Sequence, residues 1–273
     1  MADFKQKYGP WALITGGTSG IGAALADQLA AQGLNIVLVA RRAELLAQKS
    51  EALQKQYAVE VTTIQADLSK HEDIEKVLSG TKDLEVGLVI PCAGIENHGV
   101  ATEIDLDSDL AMLQLNVVST FALVHHFAGK MVNRGKGGVL LVSSMIGHMP
   151  NPYFANYAGS KAYVSNFGAS LHWEMKQRGV DVTVLSPGFT ETPMTDVFQE
   201  EGASMSAMPM TTMSPERTAE YGLAGLGKSA LVIPGKKNKA MVFMATRFVG
   251  HHAAIASGGK MMEKVMPRLK PKG

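Results

Sequence analysis

Short runs of consecutive apolar residues alternate along the chain with longer segments whose apolar residues recur every third or fourth position. Strands that are covered on both faces show continuous apolar runs, whereas one-sided helices show the helical period. The runs predict strands at residues 11–15, 35–40, 60–65, 87–91, 139–143, 181–185 and 230–233. The periodic segments predict helices at residues 21–32, 44–56, 106–134 and 154–178, and Ser214 followed by Pro215 predicts a further helix start. This alternation predicts an α/β fold, in which βαβ units build a doubly wound parallel sheet with helices on both faces.

The sequence predicts one domain over residues 1–273, because no internal repeat, low-complexity tract or linker divides it. Two segments nevertheless differ from the rest. Residues 190–213 hold five of the sixteen methionines and show no strong strand or helix period. Residues 235–273 hold nine lysines and arginines and one acid, Glu263, which gives this basic tail a formal charge of +8 and leaves −7 for the rest.

Composition narrows the class of protein. Hydrophobic residues make up 46% of the chain and charged residues 19%, so the chain can bury a core and is not expected to be disordered. The formal net charge of +1 predicts no overall attraction to nucleic acid. The single cysteine, Cys92, excludes an internal disulfide and a cysteine-rich metal site. The start of the chain lacks the apolar core of a secretory signal, and no apolar stretch reaches the ~20 residues that span a bilayer, the nearest being residues 240–256. We therefore expect a cytoplasmic protein without a bound metal.

A glycine-rich turn follows the first predicted strand, and it comprises Gly16, Thr18, Ser19, Gly20, Ile21 and Gly22. Gly16 permits a tight turn, Gly20 lets the backbone approach a pyrophosphate, and Gly22 lets the following helix pack close to the sheet. The helix N-terminus offers free N–H groups and a partial positive charge to the phosphates. The turn therefore favours a dinucleotide site. The alternative is an ordinary strand–helix turn, since the spacing is Gly-x-x-x-Gly-x-Gly.

The ends of the second and third predicted strands bear on the choice of dinucleotide. Sites for NAD usually place an acid at the end of the second strand, where this chain has Arg41 and Arg42. Arginine forks suit a 2′-phosphate, so the pair favours NADP(H), and the alternative is two solvated charges. Asp67 and Leu68 follow the third strand. Asp67 could bond the adenine amino group, or it could cap the helix that begins near Lys70.

Four polar residues carry the candidate chemistry. Asn116 lies within a predicted helix, where asparagine is unfavourable, and Ser144 follows the fifth predicted strand. Tyr157 and Lys161 are four residues apart on one predicted helix, so their side chains share a face. The lysine cation, together with the positive nicotinamide of the oxidised cofactor, is expected to lower the pKa of the Tyr157 phenol. The phenol then exchanges a proton with a carbonyl or alcohol oxygen as hydride moves. Ser144 would bond the same oxygen, Lys161 the nicotinamide ribose, and Asn116 a water of a proton relay. The alternatives are a surface Tyr–Lys pair, a serine turn and a satisfied core asparagine.

With these motifs the sequence resembles the short-chain dehydrogenase/reductase family over about residues 10–235. The resemblance rests on the glycine turn, the four polar residues and the segment 187–192. It implies a Rossmann-type sheet of seven strands in the order 3-2-1-4-5-6-7, an NADP(H)-preferring site and an Asn–Ser–Tyr–Lys tetrad. The family usually pairs through the helices that carry Asn116 and Tyr157, which implies a homodimer or homotetramer. The resemblance further implies cofactor contacts at Ala93, Gly94, Pro187, Gly188, Thr190 and Thr192.

One departure from the family is Pro91-Cys92, where the family usually has two asparagines. Pro91 lacks an N–H and a side-chain amide, so the local hydrogen bonding between neighbouring strands is expected to change. Cys92 is expected to be a small buried residue and not a nucleophile.

Methionines indicate the kind of substrate. Met145 follows Ser144, and Met194 lies in the 190–213 segment, which the family resemblance makes a lid over the substrate. Thioethers fill irregular apolar space. With His148 and Tyr153 expected at its border, the pocket is predicted to take an apolar ketone or aldehyde. The alternative is that the methionines only pack the core or the lid.

The sequence therefore predicts an NADPH-dependent carbonyl reductase, or an alcohol dehydrogenase in the reverse direction. One alternative is a 3-oxoacyl thioester reductase that acts on a carrier-bound chain, which the basic tail would suit. Another is an NADP(H)-binding regulatory protein without turnover. The tail could also bind an anionic membrane surface through side chains such as Phe243 and Phe248, or cover the core or a neighbouring subunit. His125 and His126 are expected at a subunit contact and not at a metal.

Overall fold

The computed structural model describes residues 4–200, 203 and 212–269. Within this part of the chain, seven parallel strands form one sheet in the order β3-β2-β1-β4-β5-β6-β7. The α/β fold and the strand order expected from the sequence are therefore confirmed. The strands are β1 Trp11–Thr15, β2 Asn35–Ala40, β3 Val61–Gln65, β4 Val86–Pro91, β5 Gly137–Val142, β6 Val180–Leu185 and β7 Leu231–Val232.

Helices cover both faces of the sheet. The Ser-Pro start is observed at α9, where the Ser214 hydroxyl accepts a hydrogen bond from the Arg217 N–H at 3.3 Å and Pro215 occupies the first turn. A π-helical turn at Gln114–Ser119 joins α5 to α6, and 3-10 turns lie at Met145–His148 and Pro267–Leu269. The helices are α1 Phe4–Tyr8, α2 Gly20–Ala30, α3 Ala43–Tyr57, α4 His71–Gly80, α5 Leu106–Leu113, α6 Thr120–Arg134, α7 Ala155–Lys176, α8 Pro193–Glu200, α9 Pro215–Gly225, α10 Lys236–Arg247 and α11 His251–Val265.

Two apolar cores lie against the two faces of the sheet. On one face, side chains of α4, α6 and α7 such as Phe127 and Val164 pack against the strands, and both of these are almost fully buried. On the other face, α2, α3 and α9 contribute side chains such as Leu29 and Leu223. Full burial of each such side chain stabilises the fold by roughly 1.5–3 kcal/mol before the entropy cost of ordering it. The strands are thus held in a rigid sheet whose carboxyl edge is free to carry a site.

The longest helical stretch, Leu106–Arg134, runs without interruption through α5, the π-turn and α6. It is the one described helix that is long and apolar enough to cross a membrane, whereas the sequence pointed to residues 240–256. The stretch contributes Leu123, Val124 and Phe127 to the core, whereas Leu110 and Phe121 on the same stretch are exposed.

The segment 190–213 differs from what the sequence predicts. Expected without a helix, it contains α8, which starts at Pro193 after a hydrogen-bonded turn at Thr192. As in α9, a proline occupies the first turn, but here the Thr195 hydroxyl bonds the Thr192 backbone, accepting from its N–H at 3.0 Å and donating to its carbonyl at 2.8 Å. Met205, Met208 and Met210 lie outside the described residues.

The basic tail forms α10 and α11, which we call the tail helices. They fold back onto the domain, where Met262, Val265 and Met266 form a third buried cluster with residues such as Phe154 and Tyr157. Of the alternatives for the tail, packing against the core is therefore observed. Phe243 and Phe248 remain on the surface, 55% and 69% exposed, and their contact with a membrane stays a prediction.

Candidate active site

A cavity of about 850 Å³ runs along the carboxyl edge of the sheet and is closed at its far end by the tail helices. β1 pairs with both β2 and β4, so the chain crosses from one half of the sheet to the other above β1. In doubly wound sheets ligands bind in the crevice at this switch point. Every residue predicted to contact the dinucleotide lines this one cavity: Gly16, Thr18, Ser19, Gly20, Ile21, Gly22, Arg41, Arg42, Asp67, Leu68, Ala93, Gly94, Tyr157, Lys161, Pro187, Gly188, Thr190 and Thr192.

At the start of α2 the glycines of the turn leave the backbone uncovered by side chains of their own. Gly16 has a φ of 67° and Gly20 a φ of 52°, a left-handed conformation that other residues rarely adopt. A Cβ added to Gly22 would lie 2.3 Å from the carbonyl oxygen of Gly16, and one added to Gly20 would lie 2.9 Å from Thr192 Cγ2. Glycine is therefore required here, and the turn leaves the N–H groups of the helix start accessible to a phosphate. These residues fit a dinucleotide pyrophosphate.

Arg41 and Arg42 follow β2 and line the same cavity as Asp67. The Asp67 carboxylate accepts hydrogen bonds from the Ser69 N–H at 3.1 Å and the Ser69 hydroxyl at 2.7 Å. Although partial burial acts to raise it, the pKa of Asp67 is lowered, because these hydrogen bonds and the charges of Arg41 and Lys70 favour the carboxylate. The carboxylate thus holds the turn before α4, whose N-cap residue is Lys70, and it does not cap that helix.

The Pro91-Cys92 departure is accommodated by Thr15 at the end of β1. The buried Thr15 hydroxyl accepts hydrogen bonds from the N–H groups of Cys92 at 3.0 Å and Ala93 at 2.9 Å. The two strand ends are therefore still bridged, although Pro91 has no N–H to give. Burial raises the pKa of the Cys92 thiol to about 11, as suits an unreactive cysteine.

Asn116 lies behind the cavity wall, and its amide is fully used. Its Nδ2 donates to the Ile95 carbonyl at 2.8 Å and to the Ser160 hydroxyl at 3.2 Å, while its Oδ1 accepts from the Ile95 N–H at 3.1 Å. The residue sits in the π-turn, a local widening that often marks functional sites. Asn116 thus clamps the loop after β4 to α7. A Cβ on Gly94 would lie 3.2 Å from Asn116 Oδ1 and 3.4 Å from Lys161 Nζ, so the three residues meet at one point.

Ser144, Tyr157 and Lys161 come together in the cavity. Tyr157 and Lys161 share the buried face of α7, with Lys161 Nζ 5.8 Å from the centre of the tyrosine ring. Lys161 Nζ donates to the Val142 carbonyl at 3.2 Å, and Ser144 is hydrogen-bonded to the Tyr157 hydroxyl. The Ser143 hydroxyl donates to the Lys161 carbonyl at 2.8 Å, which fixes the helix against the end of β5.

The expectation that Lys161 and the nicotinamide of a bound cofactor together lower the pKa of Tyr157 stays a prediction, and in the chain alone the pKa is raised. Burial and, secondarily, the charge of Glu96 raise the pKa of the phenol well above its usual value, and the hydrogen bond with Ser144 only partly opposes them. Burial lowers the pKa of Lys161 to about 8. The reason is that both side chains are removed from water, which penalises the charged form of each.

The predicted substrate residues divide into two pairs. Met145 and Met194 line the cavity. His148 and Tyr153 do not contribute to its lining, because the chain between Ser144 and α7 turns their side chains elsewhere. The Tyr153 hydroxyl donates to Glu263 of α11 at 2.8 Å.

The sequence interpretation missed the far part of the lining. The loop after β4 contributes Glu96 and His98. The tail helices and the turn between them contribute Met241, Ala245, Val249, Ala254, Ser257, Gly258, Met261 and Met262. The apolar residues of the tail can be seen in the sequence, but the sequence does not indicate that they line the cavity. Nothing in the sequence singled out Glu96 or His98. Among the described residues, no group of three or more His, Cys, Asp or Glu side chains could hold a metal.

Comparison with known proteins identifies the family. The model of the short chain dehydrogenase family matches residues 10–202. The chain belongs to this family. A 7beta-hydroxysteroid dehydrogenase from Mediterraneibacter gnavus is 31% identical over 238 residues, which are 87% of this chain and 90% of that protein.

Two solved structures extend the comparison to the tail. One, from work on 7beta-hydroxysteroid dehydrogenase stereoselectivity, has a TM-score of 0.87 and 29% identity and covers 94% of this chain and 99% of that chain. The other is a short-chain dehydrogenase from Sphingobium yanoikuyae in complex with NADPH, with a TM-score of 0.76 and 25% identity. That match covers 88% of this chain and 96% of the other chain.

Membership of the short-chain dehydrogenase family makes this chain an NAD(P)-dependent oxidoreductase that interconverts CH–OH and carbonyl groups of a small molecule. NADP(H) is the cofactor that the family and the two arginines after β2 indicate.

Proposed function

We propose that the protein is an NADPH-dependent reductase of apolar, ring-bearing ketones or of aldehydes, which also runs as an alcohol dehydrogenase. The observation that carries this proposal is that Ser144, Tyr157 and Lys161 share one cavity with the bare glycine turn and the arginine pair. A bound dinucleotide supplies the hydride. The protein's own residues hold the substrate oxygen and deliver its proton.

Tyr157 is the proposed general acid. A phenol whose pKa is raised by burial stays protonated at neutral pH, so it can donate a hydrogen bond and then a proton to a carbonyl oxygen. Ser144, hydrogen-bonded to the same phenol, is placed to stabilise the charge that develops on that oxygen. Lys161, whose pKa is about 8, can release and regain a proton near neutral pH and so reload the phenol.

The apolar character of the substrate is inferred from the far half of the cavity. Met145, Ile146, Met149 and Phe154 face side chains of the tail helices such as Met241 across it. Thioethers adapt to irregular apolar shapes, which suits a bulky ligand. Similarity to enzymes named for hydroxysteroids supports a ring-bearing secondary alcohol and its ketone.

The basic tail keeps a second candidate open, a 3-oxoacyl reductase that acts on an acidic carrier protein. Lys236, Lys237 and Arg247 are exposed on the tail helix α10, which also lines the cavity. Reduction of the carrier-bound chain but not of the free thioester would favour this candidate over the first.

We also propose that the protein is a cytoplasmic homodimer or homotetramer formed by one domain. Exposed apolar side chains on the long helix and on α7, including Phe121 and Trp173, support pairing through these helices.

The proposal is tested by following NADPH oxidation with a panel of ring-bearing ketones, aldehydes and acyl thioesters. The Tyr157→Phe variant should lose roughly 10²–10⁴-fold of the turnover, because the proton donor is removed, and should bind NADPH as tightly as the wild type. A Tyr157→Phe variant with undiminished turnover would refute the proposed chemistry. A protein that binds NADPH and reduces no carbonyl in the panel would instead support a regulatory role.

A further inference from the structure

Glu96 and His98 introduce a polar pair into the same cavity as the methionines. Both residues line it, with side chains only 12% and 8% exposed, and Glu96 Oε1 lies 3.6 Å from His98 Nδ1. They are polar side chains in a cavity that is otherwise lined largely by apolar residues near them, such as Met149 and Phe154. The proton transfer described above uses neither residue.

The backbone of Glu96 is fixed on both sides. Ile95, before it, is clamped by the two hydrogen bonds with Asn116. The Asn97 side chain, after it, donates to the Ser108 hydroxyl at 3.1 Å. A carboxylate held between two anchored neighbours loses little further entropy when a ligand binds, which is a property of preorganised recognition sites.

His98 is fixed as well, and its tautomer follows from its partners. Its ring stacks on Phe154 with 5.3 Å between the ring centres. Arg268 Nη2 lies 2.9 Å from His98 Nε2. Because arginine only donates hydrogen bonds, Nε2 must accept. The proton of the neutral ring is therefore on Nδ1, the atom on the side of Glu96.

The pair lies close to the reacting phenol. The Phe154 ring that supports His98 is 6.5 Å, centre to centre, from the Tyr157 ring. After burial, the negative charge of Glu96 is the next largest influence that raises the pKa of Tyr157. A substrate whose carbonyl oxygen meets Tyr157 thus extends into a cavity that also contains Glu96.

We propose that Glu96, in the cavity beside His98, accepts a hydrogen bond from a hydroxyl group of the substrate that is separate from the reacting carbonyl. The inference rests on the proposed function and narrows it to apolar ketones that carry a second hydroxyl. A carboxylate offers about four acceptor sites, so it can bind a hydroxyl in addition to its protein partners.

The test compares methyl ketones of increasing chain length, each with and without a terminal hydroxyl, by kcat/KM for NADPH-dependent reduction. The wild type should prefer the hydroxylated ketone at the chain length that reaches Glu96. In Glu96→Leu this preference should fall by roughly 10- to 100-fold, the range expected for a hydrogen bond to a charged group. Glu96→Gln, nearly the same shape and still an acceptor, should retain part of it.

The ratio of the two ketones isolates the contact, because any change in the pKa of Tyr157 affects both members of a pair alike. Glu263→Gln is the matched control, since Glu263 binds Tyr153 outside the cavity lining and should leave the ratio unchanged. An equal ratio in wild type and Glu96→Leu, or no preference in the wild type at any length, overturns the inference alone. If neither series is reduced while ring-bearing ketones or aldehydes are, the inference alone is overturned. If none of these carbonyl compounds is reduced, the proposed function fails and the inference with it.

Discussion

Replacement of Asn116 by alanine should destabilise the protein by removing the clamp on the loop after β4. The asparagine is almost completely buried and makes three hydrogen bonds, two to the Ile95 backbone and one to Ser160. The variant leaves the Ile95 N–H and carbonyl groups without these partners.

The magnitude follows from those contacts. Each hydrogen bond contributes roughly 1 kcal/mol net, so the three together contribute roughly 3 kcal/mol. Alanine is the better helix former by up to about 0.7 kcal/mol, which offsets part of the loss. The free energy of unfolding should therefore fall by roughly 2–3 kcal/mol, and the melting temperature by roughly 5–10 °C for a domain of this size.

Urea and thermal unfolding of Asn116→Ala, followed by circular dichroism, measure this loss directly. Asn166→Ala is the control, because Asn166 is exposed on α7 and bonds only the Ala162 carbonyl one turn back. A variant that unfolds like the wild type but has lost turnover would refute the clamp and assign Asn116 to the chemistry instead.

Three further predictions follow from the site and the surface. Arg41→Ala and Arg42→Ala together should raise the Kd of NADPH roughly 10- to 100-fold without changing that of NADH, by fluorescence titration, and an equal effect on both would remove the case for a 2′-phosphate site. Because burial lowers the pKa of Lys161 to about 8, the unfolded chain binds more protons above that pH. Lys161 should therefore add to the free energy of unfolding from about pH 8 to about pH 10, whereas the raised pKa of Cys92 acts in the opposite direction above about pH 9. Lys161→Met, compared with the wild type in urea titrations, should lack the Lys161 contribution. Phe121→Glu should shift the sedimenting species towards the monomer, and unchanged sedimentation would contradict pairing through this helix.

The elements that the sequence predicts well are those whose signal is local. Nearly continuous apolar runs place most of the seven strands, and the glycine turn and Ser214-Pro215 mark helix starts through their own backbone chemistry. The family resemblance then supplies the strand order, which no local signal contains. Because the carboxyl ends of parallel strands meet at one edge, the predicted dinucleotide residues all lie in one cavity.

The features that the sequence does not predict depend on tertiary structure. Tyr153 lies only four residues before Tyr157, yet its φ of 68° and its bond to Glu263 take its hydroxyl to α11 instead of the cavity. The raised pKa of Tyr157 comes from burial that its spacing from Lys161 does not reveal. No motif marks Glu96, because its place in the cavity depends on the bonds of the neighbouring Ile95 backbone to Asn116, which is distant in sequence.

Because the tail helices line one part of the cavity, its two parts are encoded in separate stretches of the sequence. Residues predicted to receive the dinucleotide all precede Pro193, whereas the wall opposite Met145 is encoded after Gly235. During synthesis the ribosome therefore releases the coenzyme-binding half before the wall that shapes the space for the substrate. Recombination near residue 235 could exchange that wall between related genes in a single event, and so change which molecules are accepted while leaving the hydride-transfer machinery as inherited.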